Sequence, residues 1–128
     1  MIEGLKSELK LSEAMRNGAG CSLPKKNSYF SYDGDGTCST CAIGAILLGL
    51  LDCDVEALCE FNEPNPFDGN YNTVIRDTYR HFYYAPCICP AGDKRGLTMP
   101  YWDATVYLND HCDWTREQIA DWLEEEGF

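Results

Sequence analysis

Cys38-Ser39-Thr40-Cys41-Ala42-Ile43-Gly44-Ala45-Ile46-Leu47-Leu48-Gly49-Leu50-Leu51 is the stretch on which the fold turns. After Cys41 it holds only Ala, Ile, Leu and two glycines, and it is too short to span a bilayer. It reads as a buried helix over Cys41–Leu51, with Ser39 or Thr40 placed to cap its first turn. Two further features surround it: a Cys-x-x-Cys pair at its start and an acidic Gly-rich turn, Asp33-Gly34-Asp35-Gly36, just before.

Outward from that helix the pattern is mostly helical. Leu11 to Gly18 reads as a short helix with Ser12 as N-cap and Asn17-Gly18 as its stop. Gly18 to Lys26 should be a loop, and Tyr29-Phe30-Ser31-Tyr32 has strand propensity leading into the turn at 33–36. A second helix is expected over about Asp54 to Phe61, then a surface loop over Asn62–Asn70. Asn72 or Thr73 starts the next helix, with Ile75, Tyr79 and Phe82 at helical spacing and Pro86 ending it. Cys87 to Asp93 forms a knuckle-like turn, and Thr98 and Pro100 open a helix carrying Trp102, Val106 and Asn109. Thr115-Arg116-Glu117-Gln118 is a capping box that opens the last helix, with Ile119, Trp122 and Leu123 as its apolar stripe. The expected fold class is therefore mainly α: five or six helices and at most one short β-hairpin, with zinc as a candidate stabiliser.

The bulk numbers set limits. A chain of 128 residues, 45% hydrophobic and 24% charged, fits a single domain over 1–128 with residues 1–8 as a loose extension. Ten basic against 21 acidic residues give a net charge of −11. Such a surface repels phosphate and argues against general nucleic-acid binding, which draws its affinity from Lys and Arg. It suits either simple solubility or a protein partner with a basic surface. Met1 to Lys6 carries no apolar leader-like run, so a cytoplasmic, reducing location and no membrane association are expected.

Eight cysteines are many for that compartment. Clustered cytosolic cysteines point to metal binding or redox chemistry before a disulfide framework. Cys38/Cys41 has a zinc-compatible spacing, Cys87/Cys89 is a Pro-bounded Cys-x-Cys pair, and Cys112 follows His111. Zinc held by two tight pairs makes Cys38, Cys41, Cys87 and Cys89 one candidate ligand set. A second set joins Cys87 and Cys89 to His111 or Cys112 and one further ligand, and a third reading leaves every thiol free. Cys21, Cys53 and Cys59 stand alone, with Cys53 and Cys59 expected to pack as small hydrophobes. Redox chemistry at Cys38 and Cys41 is the competing reading, because a helix N-terminus lowers a thiol pKa. A thioredoxin-like βαβ context is missing. Asp33-Gly34-Asp35-Gly36 fails as a calcium loop, since its glycine comes early and position 12 falls on Gly44. No phosphate-binding glycine loop or nucleophile elbow occurs, no catalytic residue is assigned, and the weight lies against an enzyme without deciding it.

Three motifs carry a family resemblance: Leu11-Ser12-Glu13-Ala14-Met15-Arg16-Asn17-Gly18-Ala19, Cys41-Ala42-Ile43-Gly44-Ala45, and Leu108-Asn109-Asp110-His111-Cys112-Asp113-Trp114 continuing to Leu123. The chain resembles a group of small, uncharacterised bacterial and phage or prophage proteins. In that group the last motif looks like His-Leu-Asn-Asp-x-His-x-Trp, so Tyr107 and Cys112 stand at the two histidine positions. Cysteine keeps a zinc ligand there and tyrosine loses one, which Cys38 could replace. The resemblance implies no activity. It implies a phage-associated protein, one form of which would inhibit a host defence complex.

These readings converge on a small acidic cytosolic protein-interaction module. The alternatives are a thiol-redox enzyme using Cys38 and Cys41, and a structural protein with free thiols. The oligomeric state is open.

Overall fold

The computed structural model describes residue 6 and residues 8–32, 37–61 and 71–128. The turn expected at 33–36 and the loop expected at 62–70 lie outside the described residues.

The apolar run forms helix α2, Ala42–Leu50, and every one of its residues is buried. Ile43, Ile46, Leu47, Leu48 and Leu50 are each at most 1% exposed. Each such side chain stabilises the fold by about 2 kcal/mol through removal from water. Helix α1, Leu11–Gly20, crosses α2 with backbone touching backbone. A β-carbon on Gly18 would lie 1.8 Å from the Ala45 carbonyl oxygen, and one on Gly49 would lie 1.8 Å from that of Ala14. Ala14 and Gly18 thus face Ala45 and Gly49, four-residue spacings that put small residues on one face of each helix. Gly18 is therefore a packing residue inside α1 and not the expected stop signal.

Five more helices complete the helical set among the described residues: α3 (Val55–Phe61), α4 (Tyr71–Thr78), α5 (Arg80–Tyr84), α6 (Tyr101–His111) and α7 (Arg116–Glu125). Helix α7 runs antiparallel to α1. Ser12 donates through both N–H and hydroxyl to the Phe128 carbonyl at one end, while Arg16 meets Glu117, Asp121 and Glu124 along it. Ser12 is thus buried inside α1 instead of capping it; Lys10 holds the N-cap position. The expected capping box of α7 is present in full, with Thr115 Oγ1 accepting from Gln118 N at 3.0 Å and Thr115 N donating to Gln118 Oε1 at 2.8 Å.

The mainly α expectation is overturned by five strands in two small sheets among the described residues, which make the fold mixed α/β. In the first, β3 (Cys38–Thr40) lies between β1 (Leu23–Pro24), parallel, and β2 (Phe30–Tyr32), antiparallel. In the second, β4 (Pro86–Ile88) pairs antiparallel with β5 (Thr98–Pro100). Strands of two or three residues are too short to write an alternating pattern into the sequence. Pro24, Pro86 and Pro100 read as breakers, yet proline is tolerated on such edges. Hence the expected loop at 18–26 contains a strand, and Thr98 to Pro100 pairs in a sheet before α6 begins. The helix expected through Tyr79 and Phe82 is broken into α4 and α5 at Tyr79, whose φ is −128°.

Cys21 and Cys53 form a disulfide, with Cα atoms 6.2 Å apart. This departs from the expectation that Cys21 stands alone and Cys53 packs as a free hydrophobe. Asp52 and Cys53 both take positive φ (56° and 62°), turning the chain so that Cys53 N–H donates to Leu48 O at 2.9 Å. That turn carries the sulfur back to the end of α1. Closing a loop of this size stabilises by about 3–4 kcal/mol in the chain-entropy account. Lys6 is tied to the same end of α2, donating from its N–H to Leu50 O at 2.8 Å.

The α1–α2 contact makes a direct prediction. Gly18→Ala and Gly49→Ala should each cost about 3 kcal/mol in urea unfolding, through overpacking against backbone that cannot move aside. Gly20→Ala, with nothing within 4 Å of its β-carbon position, should be neutral or stabilising by up to about 1 kcal/mol. A Gly18→Ala protein as stable as the parent would contradict the packing.

Candidate functional site

Two groups of thiols stand at two helix ends. At the start of α2, Cys41 is itself the N-cap, where Ser39 or Thr40 was expected, and its Sγ accepts from Gly44 N at 3.4 Å. The first free N–H of the helix, Ala42 N, donates to Asn109 Oδ1 of α6 at 3.0 Å. Asn109 Nδ2 then donates to Lys25 O at 3.0 Å and to Asp110 Oδ1 at 2.8 Å, and Asp110 Oδ1 also accepts from Asn27 N at 3.0 Å. A cavity of about 270 Å³ opens beside Cys41, with Tyr29, Val106, Asn109 and Asp110 among its walls.

This arrangement decides the chemistry of Cys41. A helix N-terminus favours a thiolate, and the Gly44 and Ile43 N–H groups act in that direction. Burial opposes them and wins, so the thiol is pushed up to about 11. Burial also raises Cys38, where the nearby Arg116 acts in the opposite sense and the neighbouring Cys59 adds to the rise. At both thiols burial thus opposes the thiolate that the redox expectation needs.

The second group is built by the β4–β5 hairpin and the end of α6. Cys87 on β4 and Cys89 just after it are both buried, while Cys112 caps α6. Cys89 Sγ donates to Ala91 O at 3.2 Å. Next along the chain, Gly92 has φ +75°, and a β-carbon there would lie 2.6 Å from Tyr107 Oη and 2.7 Å from Cys112 Sγ. Only glycine admits both the conformation and the approach. Tyr107 Oη further donates to Asp93 Oδ1 and accepts from Asp93 N. Burial, then neighbouring Cys89 and Asp93, raises the Cys112 thiol; burial and Cys89 push Cys87 up to about 11. The two positions singled out by the family resemblance, Tyr107 and Cys112, thus converge on one glycine.

Of the five ligand candidates, Cys87, Cys89 and Cys112 belong to this second group, while Cys38 and Cys41 sit on β3 and at the α2 cap beside Arg116 and Asp110. Among the described residues no group of three or more His, Cys, Asp and Glu is arranged to hold a metal ion. His111 is exposed, its ring tilted against that of Tyr107 with centroids 5.4 Å apart.

Asn109, Asp110 and Arg116 are the polar residues that spacing alone missed. Spacing puts Asn109 on a helix with Trp102 and Val106 without giving it a role; the adjacent Asn109-Asp110 pair is the signal available in the sequence. In Tyr79 to Tyr84, three rings face the core: Phe82 is fully buried, Tyr83 lies 5.2 Å from Trp102 between ring centroids, and Tyr79 Oη donates to Leu9 O at 2.7 Å, while Arg80 and His81 are exposed. Tyr84 is also exposed, at 56%, with Arg80 over its ring.

No protein-family model matches the chain, and no curated protein or solved structure matches it. No helix among the described residues is long and apolar enough to cross a membrane.

The thiol environments fix a pH dependence. Cys41 and Cys87 titrate near 9 when free and about 11 in the fold, and Tyr79 moves from 10 to about 12. Folding favours the protonated forms, so this stability is fully present below pH 9 and is lost as pH rises through 11 to 12. Unfolding free energy should fall across that window, Cys41 alone accounting for on the order of 2 kcal/mol. At pH 8 iodoacetamide should label Cys59 and Cys112, the partly exposed free thiols, and spare Cys38, Cys41, Cys87 and Cys89 until the chain unfolds. Rapid native labelling of Cys41 would contradict this environment.

Proposed function

We propose that the protein is an interaction module that docks on a protein partner through the β4–β5 hairpin, with its acidic surface steering it toward a basic one. The observation that carries this reading is the solvent face of that hairpin. Ile88 is 66% exposed, beside exposed Pro86 on its own strand and opposite exposed Thr98 on β5. Tyr84, at the end of α5 just before the hairpin, and Leu97, just before β5, are 56% and 55% exposed. Pro86 and Ile88 give this face of the hairpin an apolar contact point, which Tyr84 and Leu97 flank along the chain. On the opposite face Cys87 is buried and Met99 half-buried, which seats the hairpin against the fold and leaves Ile88 facing out.

Charge supplies the partner class. Helix α7 exposes Glu117, Asp121, Glu124 and Glu125, and Arg16 alone among the described residues bridges to three of them. Fields of this kind raise association rates more than they raise affinity. Lys94 and Arg95 sit at the hairpin tip, so the attraction works at long range and the apolar face supplies the anchor. The resemblance to phage and prophage proteins makes a host protein complex the natural place to look for such a partner. The thiol-redox alternative has no comparable support, given the buried, protonated Cys38 and Cys41.

The test is an NMR titration with a basic peptide carrying leucine anchors. Perturbations should centre on residues 84–100, and binding should weaken as salt rises from about 50 to 500 mM. Ile88→Asp should raise the Kd by about tenfold or more, while leaving the fold intact because the side chain is exposed. Perturbations spread evenly over the acidic residues, or an unchanged Kd for Ile88→Asp, would contradict the reading.

A further inference from the structure

A cleft of about 770 Å³ lies between the end of α1, the segment after β1 and the start of α7. Four cationic side chains line it, Arg16, Lys25, Lys26 and Arg116, against two carboxylates, Asp113 and Glu117. Both carboxylates are already engaged, Asp113 with Lys26 and Glu117 with Arg16. Arg16 also pairs with Asp121 and Glu124 of α7, so the cations left without a carboxylate are Lys25 and Arg116. Lys25 has no ion pair among the described residues.

Arg116 is the second observation. Its residue is only 9% exposed, and buried charges ordinarily sit against an opposite charge. Here Nη1 donates to Ser22 Oγ at 2.7 Å and Thr40 Oγ1 at 2.9 Å, while Nη2 donates to Ser22 O at 2.9 Å and Ala19 O at 3.3 Å. All four acceptors are neutral. Cys38 and Cys41, the titratable groups that act on it, are protonated thiols at neutral pH. The guanidinium is well hydrogen-bonded, yet no anion among the described residues balances its charge. Trp114 adds an indole wall to the cleft, and Pro24 and Ala19 make the rest of that side apolar.

We propose that this cleft binds a small molecule carrying an oxyanion, phosphate or carboxylate, on a planar apolar group. The oxyanion lies toward Lys25 and the uncompensated charge of Arg116, and the planar part lies along Trp114. An oxyanion so placed supplies the missing counter-charge, and an aromatic ring on the indole adds stacking. The cleft is separate from the hairpin face, so this site and the docking reading stand or fall independently.

Phenyl phosphate, benzoate, inorganic phosphate and phenol are the probes, read on the Trp114 indole N–H resonance. Phenyl phosphate or benzoate should shift it saturably, and whichever binds more tightly assigns the oxyanion. Phenol should produce no saturable shift. Lys25→Glu should weaken binding by about tenfold, since the exposed part of the charge is reversed. Lys6→Glu, near Asp52 and away from the cleft, should leave binding unchanged and controls for net charge. Arg116→Lys keeps the charge but loses the fork; if it folds, it should also bind more weakly. Absence of saturation with both anions, equal binding by Lys25→Glu, or equal effects of Lys25→Glu and Lys6→Glu would overturn the proposal.

Discussion

The crossing of α1 and α2 is the contact on which the rest of the molecule depends. Gly18 and Gly49 let the two backbones touch, and no other residue fits either position without displacing a carbonyl. Because α2 is then enclosed on every side, it carries no polar side chain of its own to satisfy its ends. Its first N–H groups take partners from Cys41 and from Asn109 of α6. Asn109 in turn fixes the segment at Lys25, and Arg116 of α7 ties the end of α1 to Ser22 and Thr40. A single buried apolar helix thus dictates where the polar network must run. The two small sheets are attached to that frame: β3 leads into the α2 cap, and β4–β5 packs beside α6.

Burial also decides what the cysteines do. Sequence spacing groups them by neighbours along the chain, whereas the fold groups Cys89 with Cys112 and Cys21 with Cys53. These partnerships are long-range and leave no mark in local spacing. The helix N-terminus at Cys41 was visible in the sequence, but the desolvation that outweighs it was not, because it comes from side chains on several other elements. A cysteine at a helix start is a reactive thiol only when water or a cation reaches it.

Much of the helical frame was legible. The apolar run of α2, the capping box of α7 and the short helix α3 each rest on local signals that the tertiary structure respects. What escaped was of two kinds. Strands of two or three residues, such as Leu23–Pro24, exist because a neighbour is present to pair with, and their own residues carry no period. Ser12 and Gly18 were read as boundary signals because Ser and Gly mark helix ends in isolation; here the α7 terminus and the α2 backbone claim them instead. Of the polar site residues, Asn109 and Arg116 were hidden because their partners lie far away in sequence. Charge, by contrast, was fully legible, and it is the property from which the steering argument follows.

Native-state hydrogen exchange tests the central place of α2 most directly. Amides of α2 from Ala45 to Leu50, together with those of α1 at the crossing, should exchange only through global unfolding, with protection equal to the full unfolding free energy. Amides of β4 and β5 should open at lower free energy, as a hairpin attached to a finished frame. Exchange of α2 amides through a smaller, local opening, with the hairpin the more protected element, would contradict the account.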